Sequence, residues 1–287
     1  SLSICCKALA LPGDEFLTFA PYFPEYKIYV ESAGAALSVI PADTANFQID
    51  LEKFAQAINE KTKAVIINSP NNPSGVVYSL ETVRKMCLIM EERSIELGRP
   101  IYLISDEPYR ELVYGDAEVP FLLNHYDNTF VCYSYSKSLS LPGERIGYVL
   151  VSNRMKDGED IYAAVCGAGR ALGYVCAPSL FQHLIARCVG RTADISIYKR
   201  NRDILYSGLK RMGYECARPD GAFYLFVRAL EPDAVAFCEK AKKHELLLVP
   251  GDGFGCPGYV RISYCVRTDQ IEASLPAFEK LAAEYKK

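Results

Sequence analysis

Three short apolar runs constrain the fold of this chain more than any other feature. They cover residues 63–68, 101–105 and 130–135, and their length and apolar character predict buried strands. The spans between them are long enough for crossover helices, so the strands are expected to pair in parallel as βαβ units. Since half of the 287 residues are apolar, a sizeable α/β core can form.

A distinctive polar residue follows each of these runs. Asn72 lies in the dense turn sequence after the first run, Asp106 ends the second, and Lys137 follows the third. Because ligands gather outside the carboxyl ends of parallel strands, the three side chains are expected to lie close together. Taken singly, each has a plainer interpretation: a turn for Asn72, a helix N-cap for Asp106 and a solvated surface lysine for Lys137. Their joint placement favours a ligand site.

The residues around Lys137 suit a phosphorylated ligand. Ser134, Ser136 and Ser138 supply hydroxyls and Arg145 supplies a cation, a combination that can bind a phosphate group. A lysine amine beside such a site suggests a Schiff base to a phosphorylated aldehyde cofactor. This stretch alone supports that interpretation and an ordinary solvated lysine about equally.

The stretch 134–147 reads Ser-Tyr-Ser-Lys-Ser-Leu-Ser-Leu-Pro-Gly-Glu-Arg-Ile-Gly and resembles the cofactor-lysine signature of the class I and II aminotransferases. These are pyridoxal 5'-phosphate enzymes of fold type I. The family's other motifs occur in the expected order, and the resemblance extends from Leu2 to the C-terminus. It implies a three-layer large domain with a mostly parallel central sheet, followed by a smaller C-terminal α/β domain. We place these domains at 1–192 and 193–287.

Local patterns predict several further elements. Asp50 and Ser79 are good N-caps and predict helices from 50 to about 59 and from 79 to 97. Lys137 is expected where a strand gives way to a loop. A Gly- and Ala-rich stretch after residue 151 predicts helix to about residue 189, and 246–249 predicts a short strand. The motifs 219–224 and 250–255 match further family motifs and are interpreted as structural turns.

The resemblance assigns roles to the residues around the lysine. It implies that Lys137 holds the cofactor covalently and, once freed, moves the substrate proton. Asp106 would keep the pyridine nitrogen protonated, as expected of an opposite charge in a site screened from water. Ser134, Ser136 and Arg145 would bind the cofactor phosphate.

The resemblance also assigns roles to residues distant from the lysine in sequence. Phe23, in the segment Ala-Pro-Tyr-Phe-Pro-Glu-Tyr, would stack on the pyridine ring; without the resemblance it is more often a core aromatic. Asn72 and Tyr109 would donate to the phenolic oxygen of the cofactor. Arg261 would bind the α-carboxylate of the substrate, although an arginine in a strand is more often a surface residue. The sequence begins with Ser1, after the point where family members carry a glycine-rich phosphate turn, so we expect an N-terminally incomplete large domain.

Composition excludes several other classes of function. A net charge of −3 gives no reason to expect nucleic acid or an anionic membrane as a partner. Residues 1–11 do not show the pattern of a signal peptide and no run of 18 or more uncharged apolar residues occurs, so we expect a soluble protein. The eleven cysteines are odd in number and form no Cys-x-x-Cys pair, which is typical of buried thiols in a reducing cytoplasm rather than of disulfides. The three histidines lie apart from any cysteine pair or acidic cluster, so no metal site is expected.

These patterns predict an aminotransferase that moves an amino group between an amino acid and a 2-oxo acid. By analogy with the family we expect a homodimer, with aspartate as the favoured substrate and aromatic amino acids and alanine close behind. A C–S β-lyase of the same fold remains an alternative, as does the cofactor-sensing domain of a transcription regulator. A third possibility is a chain that is inert because its phosphate site and dimer arm are incomplete.

Overall fold

A six-stranded sheet forms the centre of the larger part of the molecule. The structure, a computed structural model, describes residues 1–286. The strands are β1 (Glu15–Phe19), β2 (Ala36–Ile40), β3 (Thr62–Asn68), β4 (Tyr102–Asp106), β5 (Thr129–Ser134) and β6 (Gly147–Val151). Their order is β2-β1-β3-β4-β5-β6, and every pairing is parallel except that of β5 with β6. The mostly parallel sheet predicted from the apolar runs is confirmed.

Helices cover both faces of this sheet and make three layers. The helices of this part of the chain are α1 (Leu2–Leu9), α2 (Glu25–Ser32), α3 (Leu51–Ala57), α4 (Leu80–Glu96), α5 (Tyr135–Ser138), α6 (Gly158–Ala171) and α7 (Ser179–Ala186). The covering helices are α1, α2 and α6 on one face and α3 and α4 on the other. Successive residues of a strand point to opposite faces, so in β3 Ile66 packs with α1, α2 and α6 while Val65 packs with α3 and α4.

A second, antiparallel sheet follows in the C-terminal third of the chain. Its strands are β7 (Tyr224–Arg228), β8 (Val249–Pro250) and β9 (Tyr259–Ser263), in the order β7-β9-β8. The helices α8 (Ser196–Met212), α9 (Ala234–Lys242) and α10 (Thr268–Ala283) accompany it. Tyr109, Leu112 and Tyr114, which follow β4, are buried in the same core cluster as these elements. The segment after β4 therefore joins the two parts of the molecule.

Side-chain caps start two helices where the sequence predicts them. The Asp50 carboxylate accepts a hydrogen bond from the backbone N–H of Lys53 at 3.0 Å, and α3 begins at the next residue. The Ser79 hydroxyl likewise accepts from the N–H of Thr82 at 3.0 Å, and α4 follows. Each side chain satisfies a backbone donor that has no partner inside its helix.

Three local predictions are wrong in detail. Lys137 lies in the short helix α5 and not in a loop, because the chain turns helical directly after β5. The strand expected at 246–249 is confined to Val249–Pro250, since only these residues pair with β9. The single helical stretch expected up to residue 189 is two helices, separated where Gly173 has a positive φ of 84° and Pro178 precedes α7.

Three further observations concern the cysteines, possible metal ligands and the lengths of the helices. All eleven cysteines are free thiols. Among residues 1–286 no group of three or more His, Cys, Asp or Glu side chains is placed to hold a metal ion. No helix in this range has the length and apolar character needed to cross a membrane.

Candidate active site

The strand order places a topological switch point, where a ligand crevice is expected, between the carboxyl ends of β1 and β3. These neighbouring strands are followed by connections that lead to opposite sides, to β2 after β1 and to β4 after β3. Such a switch point leaves room for a ligand between the two departing segments. The segments are 20–26 and 68–75, which meet where the Asn71 amide donates to the Pro21 carbonyl at 3.3 Å. The topology thus brings together two segments in which the sequence separately predicted site residues, Phe23 in the first and Asn72 in the second.

Asn68 connects two of the predicted site residues. It is the last residue of β3 and pairs in register with Asp106, the last residue of β4. Its amide nitrogen donates to the Asp106 carbonyl at 2.8 Å, and its amide oxygen accepts from the Asn72 N–H at 2.7 Å. Asn72 and Asp106 are therefore held near each other by a third side chain at the sheet edge.

The two oxygens of the Asp106 carboxylate have different surroundings. Oδ2 accepts a hydrogen bond from the Tyr26 hydroxyl at 2.7 Å, whereas no donor within residues 1–286 reaches Oδ1. Burial raises the pKa of the Asp106 carboxyl to about 7, and the hydrogen bond from Tyr26 opposes this rise. We refer to Tyr26, Asn68, Asn72 and Asp106 as the strand-end cluster.

Arg261 connects the second sheet to this cluster. One of its terminal nitrogens donates to the Asn72 side-chain oxygen at 2.9 Å. The guanidinium carbon lies 4.6 Å from the ring centre of Tyr224 and 4.9 Å from that of Phe254, distances at which the rings attract a cation. Its Nε is buried and has no hydrogen-bond partner among the described residues. The cation is thus fixed in position while part of its donor capacity stays open for a ligand.

Lys137 is half-buried at the end of β5. Its ammonium nitrogen lies 5.3 Å from the ring centre of Phe223. Burial lowers the pKa of the lysine, and the positive charges of Arg145 and Arg261 lower it further, against an opposing effect of Cys265. A larger fraction of the amine is therefore neutral than in water, and a neutral amine is the form that acts as nucleophile or base.

Two aromatic candidates flank the cluster. Tyr109 is buried, and its hydroxyl lies 3.2 Å from that of Tyr224; burial raises the pKa of Tyr109 and keeps it protonated. Phe23 is only partly buried and packs edge-on against Tyr26, with ring centres 5.7 Å apart. Both rings belong to segments that leave the carboxyl ends of strands.

The predicted phosphate-binding residues are only partly brought together. The Ser134 hydroxyl donates to that of Ser136 at 2.7 Å. Arg145 is exposed, and its guanidinium donates to the Pro142 carbonyl at 3.0 Å instead of contacting either serine. We refer to Ser134, Ser136 and Arg145 as the serine–arginine loop.

The hairpin between β5 and β6 nevertheless keeps this loop compact. Gly147 pairs with Ser134, and a Cβ at Gly147 would lie only 2.2 Å from the Tyr133 carbonyl oxygen. Only glycine permits that approach of the two strands. The backbone beside Arg145 is thereby held close to Ser134.

A turn from the C-terminal third fixes the loop that carries Asn72. The N–H groups of Asp220 and Gly221 both donate to the Gly75 carbonyl at 2.9 Å. Gly75 has a positive φ of 71°, and a Cβ there would lie 2.6 Å from the Pro219 side chain. The motif 219–224, interpreted from sequence as a structural turn, thus positions the Asn72 loop.

Four residues of the site were not predicted as site residues. They are Tyr26, Asn68, Tyr224 and Phe254. The position of Asn68 at the end of an apolar strand, and that of Tyr26 three residues after Phe23, were available signals. Tyr224 and Phe254 lie in motifs that were interpreted only as turns, and nothing in the sequence indicates that they enclose Arg261.

Comparison with known proteins shows the family of this chain. The family described as aminotransferase class I and II matches residues 1–278. The aspartate aminotransferase of Thermotoga maritima is 32% identical over 278 residues, which cover 95% of this chain and 70% of the relative. A probable aspartate aminotransferase of Methanocaldococcus jannaschii is 33% identical and covers 94% of this chain and 71% of its own length.

Solved structures give the same result. A crystal structure of an aminotransferase from Eubacterium rectale is 63% identical, with a TM-score of 0.98, and the match covers 100% of this chain and 72% of that one. The structure of the Thermotoga maritima aspartate aminotransferase is 31% identical with a TM-score of 0.87, covering 98% and 73%. The chain therefore belongs to the class I and II aminotransferases, a family of pyridoxal-phosphate enzymes of fold type I, and transfers amino groups between an amino acid and a 2-oxo acid.

Proposed function

We propose that this chain binds pyridoxal 5'-phosphate in the crevice between β1 and β3 and uses the predicted residues for amino-group transfer. The proposal rests mainly on one observation. A partly buried carboxylate with one free oxygen, Asp106, lies beside an amide, Asn72, that is itself bonded to Arg261. These residues offer a hydrogen-bond acceptor, an amide and a cation around one crevice. This combination suits a flat cationic ring that carries an amino acid.

The ring end of the cofactor would be held by the strand ends. In this proposal the free Oδ1 of Asp106 accepts a hydrogen bond from the protonated pyridine nitrogen, because an adjacent positive charge favours the charged form of a carboxylate. Asn72 and Tyr109 donate to the phenolic oxygen, and Phe23 stacks on the ring face. The partial exposure of Phe23 leaves one side of its ring available for that contact.

The phosphate end would be held by the serine–arginine loop. The two serine hydroxyls already lie 2.7 Å apart, so both would donate to oxygens on the same side of the phosphate. Arg145 must exchange its bond to the Pro142 carbonyl for the phosphate, a change that replaces a neutral acceptor with an anionic one.

Lys137 would carry the chemical step. When bound, pyridoxal phosphate supplies an electron-withdrawing ring that stabilises negative charge on the substrate α-carbon. Lys137 Nζ would take the proton from that carbon, and its lowered pKa increases the fraction of neutral amine that can accept the proton. Such positioned proton transfer typically contributes about 10²–10⁴ in rate.

Arg261 would select amino acids by their α-carboxylate. Its guanidinium is held between Tyr224 and Phe254, which leaves its planar edge for a bidentate contact. We propose aspartate as the first substrate to test, because several relatives are named as aspartate or aspartate/prephenate aminotransferases. Aromatic amino acids and alanine are the next candidates.

We further propose two domains, 1–192 and 193–287, and a homodimer. Support for the dimer comes from large apolar side chains left exposed between α6 and the start of α8. They are Tyr162, Tyr174, Val175, Leu180 and Val189, each more than 60% exposed. Large apolar side chains exposed together in one stretch of the chain are typical of an interface, and sedimentation equilibrium would give the mass. A cytoplasmic location is part of the same proposal.

Covalent trapping tests the central assignment. The protein is incubated with pyridoxal phosphate, reduced with borohydride, digested and mapped by mass spectrometry. We expect the label on Lys137 and none on Lys156, an exposed lysine that serves as an internal control. Labelling of another lysine, with Lys137 unmodified, would refute the assignment.

Product analysis separates transfer from elimination. Transfer requires a 2-oxo acid and consumes it, whereas a C–S lyase releases pyruvate and ammonia from a cysteine conjugate without one. We expect amino-group transfer from aspartate to 2-oxoglutarate to exceed any ammonia release. Ammonia release that does not depend on the 2-oxo acid would favour the lyase.

A further inference from the structure

We propose that Tyr26 is a positioning residue that keeps Asp106 ionised and oriented so that a bound pyridine ring retains its proton. The inference rests on the proposed function of the site and adds a residue to it. Its basis is the geometry of one carboxylate, in which Tyr26 occupies Oδ2 and leaves Oδ1 free.

The Tyr26 hydroxyl points at a group that titrates. Tyr26 is 1% exposed, and a buried tyrosine hydroxyl needs a hydrogen-bond partner. Two other buried tyrosines, Tyr126 and Tyr214, donate to backbone carbonyls, at 2.6 and 3.1 Å. Tyr26 donates to a side-chain carboxylate at 2.7 Å. Its partner is therefore a group that can gain or lose a proton.

The hydrogen bond from Tyr26 favours one position of the shared proton. A hydrogen bond donated to a carboxylate stabilises its charged form. Where Asp106 and a ring nitrogen share one proton, the proton can sit on either of them. Stabilising the charged carboxylate moves that proton toward the nitrogen, which makes the ring a stronger electron acceptor.

Among the described side chains, only that of Tyr26 lowers the pKa of the Asp106 carboxyl. Burial raises its pKa and the Glu107 carboxylate raises it further, whereas Tyr26 and the amino group of Ser1 lower it. The carboxylate makes no salt bridge with a side chain of the described residues. Tyr26 is thus the only described side chain that bonds directly to the carboxylate in its charged form.

The Tyr26 hydroxyl is held rigidly. Tyr26 lies in the first turn of α2, where its N–H donates to the Phe23 carbonyl at 3.0 Å and its ring packs edge-on against Phe23. It is buried in the same cluster as Val30, one turn further along α2. The ring proposed to stack on the cofactor and the hydroxyl that orients Asp106 therefore form one packed unit.

The test uses Tyr26→Phe in the pyridoxal-phosphate-loaded protein, which removes the hydroxyl and keeps the ring. The control is Tyr214→Phe, which removes a buried hydroxyl bonded to the Phe278 carbonyl in the C-terminal core. The primary readout is the ¹⁵N chemical shift of cofactor labelled at the ring nitrogen. Tyr26→Phe should move this shift toward the value of the unprotonated ring, and the control should leave it unchanged.

A second readout uses the protein without cofactor. The ionisation of Asp106 is followed by NMR of the ¹³C-labelled carboxyl group. Tyr26→Phe should increase its proton affinity about tenfold, as expected on loss of one hydrogen bond to a charged group. Replacing Tyr26 with 3-fluorotyrosine, whose hydroxyl is a stronger donor, should change the affinity in the opposite direction.

Three results are distinguishable. Unchanged ¹⁵N and ¹³C readouts in Tyr26→Phe would refute the inference and leave Tyr26 as a core residue. If wild-type protein shows no protonated ring or no covalent label at Lys137, the proposed function itself fails. If Tyr26→Phe does not fold, the 3-fluorotyrosine variant decides: no change in either readout would refute the inference.

Discussion

The strand-end cluster and the serine–arginine loop are organised in different ways. In the strand-end cluster, hydrogen bonds of 2.7–2.9 Å already link the four residues to one another and connect Asn72 to Arg261. In the loop, the serines bond to each other and Arg145 bonds to its own backbone.

The difference follows from where each region lies. The strand-end residues are fixed by parallel pairing and by burial, whereas Arg145 is an exposed residue of a hairpin connection. Preorganised groups lose little free energy of ordering when they bind a ligand. We therefore expect substitutions at the strand ends and at Lys137 to have larger effects than those in the loop.

Lys137→Ala should have the largest effect, because Lys137, which follows Ser136 directly, is the residue proposed to transfer the substrate proton. Loss of a positioned proton-transfer group is expected to lower kcat by about 10²–10⁴. Aspartate-to-2-oxoglutarate transfer is measured with coupled detection of oxaloacetate, with Lys156→Ala as the control. Activity within threefold of wild type would contradict a role for Lys137 in the chemical step.

Asp106→Asn should change how stability depends on pH in the cofactor-free protein. The pKa of the Asp106 carboxyl rises from its ordinary value of 3.8 to about 7 on folding. From about pH 4 to 7 the folded chain holds a proton that the unfolded chain has lost, so this group's contribution to stability falls as pH rises through that window. The total is about 4 kcal/mol.

The measurement is urea unfolding at several pH values from 4.5 to 8. The difference in unfolding free energy between Asp106→Asn and wild type should shift in favour of the variant as pH rises. Asp127→Asn, which alters an exposed carboxylate paired with Arg154, should run parallel to wild type. If the unfolding free energy of Asp106→Asn also runs parallel to that of wild type, burial does not raise the pKa of the Asp106 carboxyl.

Arg261→Lys should weaken substrate binding more than it slows turnover. A lysine cannot make the bidentate contact of a guanidinium, so KM for aspartate should rise about 10- to 100-fold with a smaller change in kcat. Arg228→Lys is the matched control, since Arg228 lies on the adjacent strand β7, is exposed and pairs with Glu215 at 3.0 Å. Equal effects of the two variants would remove the distinction between Arg261 and a surface arginine.

Ser136→Ala should have the smallest effect, because the serine–arginine loop is only partly formed before binding. Loss of one neutral hydrogen bond is expected to raise the Kd for pyridoxal phosphate about two- to tenfold. Affinity is measured by titrating the cofactor-free protein and following absorbance, with Ser207→Ala on α8 as control. A loss larger than that caused by Arg261→Lys would reverse the comparison between the two regions.

Much of the fold could be predicted from local sequence. Short apolar runs gave β3, β4 and β5, and the caps at Asp50 and Ser79 gave the starts of α3 and α4, because these features depend on neighbours within a few residues. The break before α7 and the shortness of β8 were missed. Both depend on where the chain finds a partner, which an apolar pattern does not specify.

The sequence by itself determined which chemical groups the crevice would receive, since Asn72, Asp106 and Lys137 each follow a strand whose direction is set by its crossover connection. Only the tertiary structure decided how those groups are arranged. It paired Arg261 with Asn72 across 189 positions, placed Tyr26 on one oxygen of Asp106 and left the other oxygen free. Such contacts depend on side-chain packing between distant segments, and no local pattern encodes them.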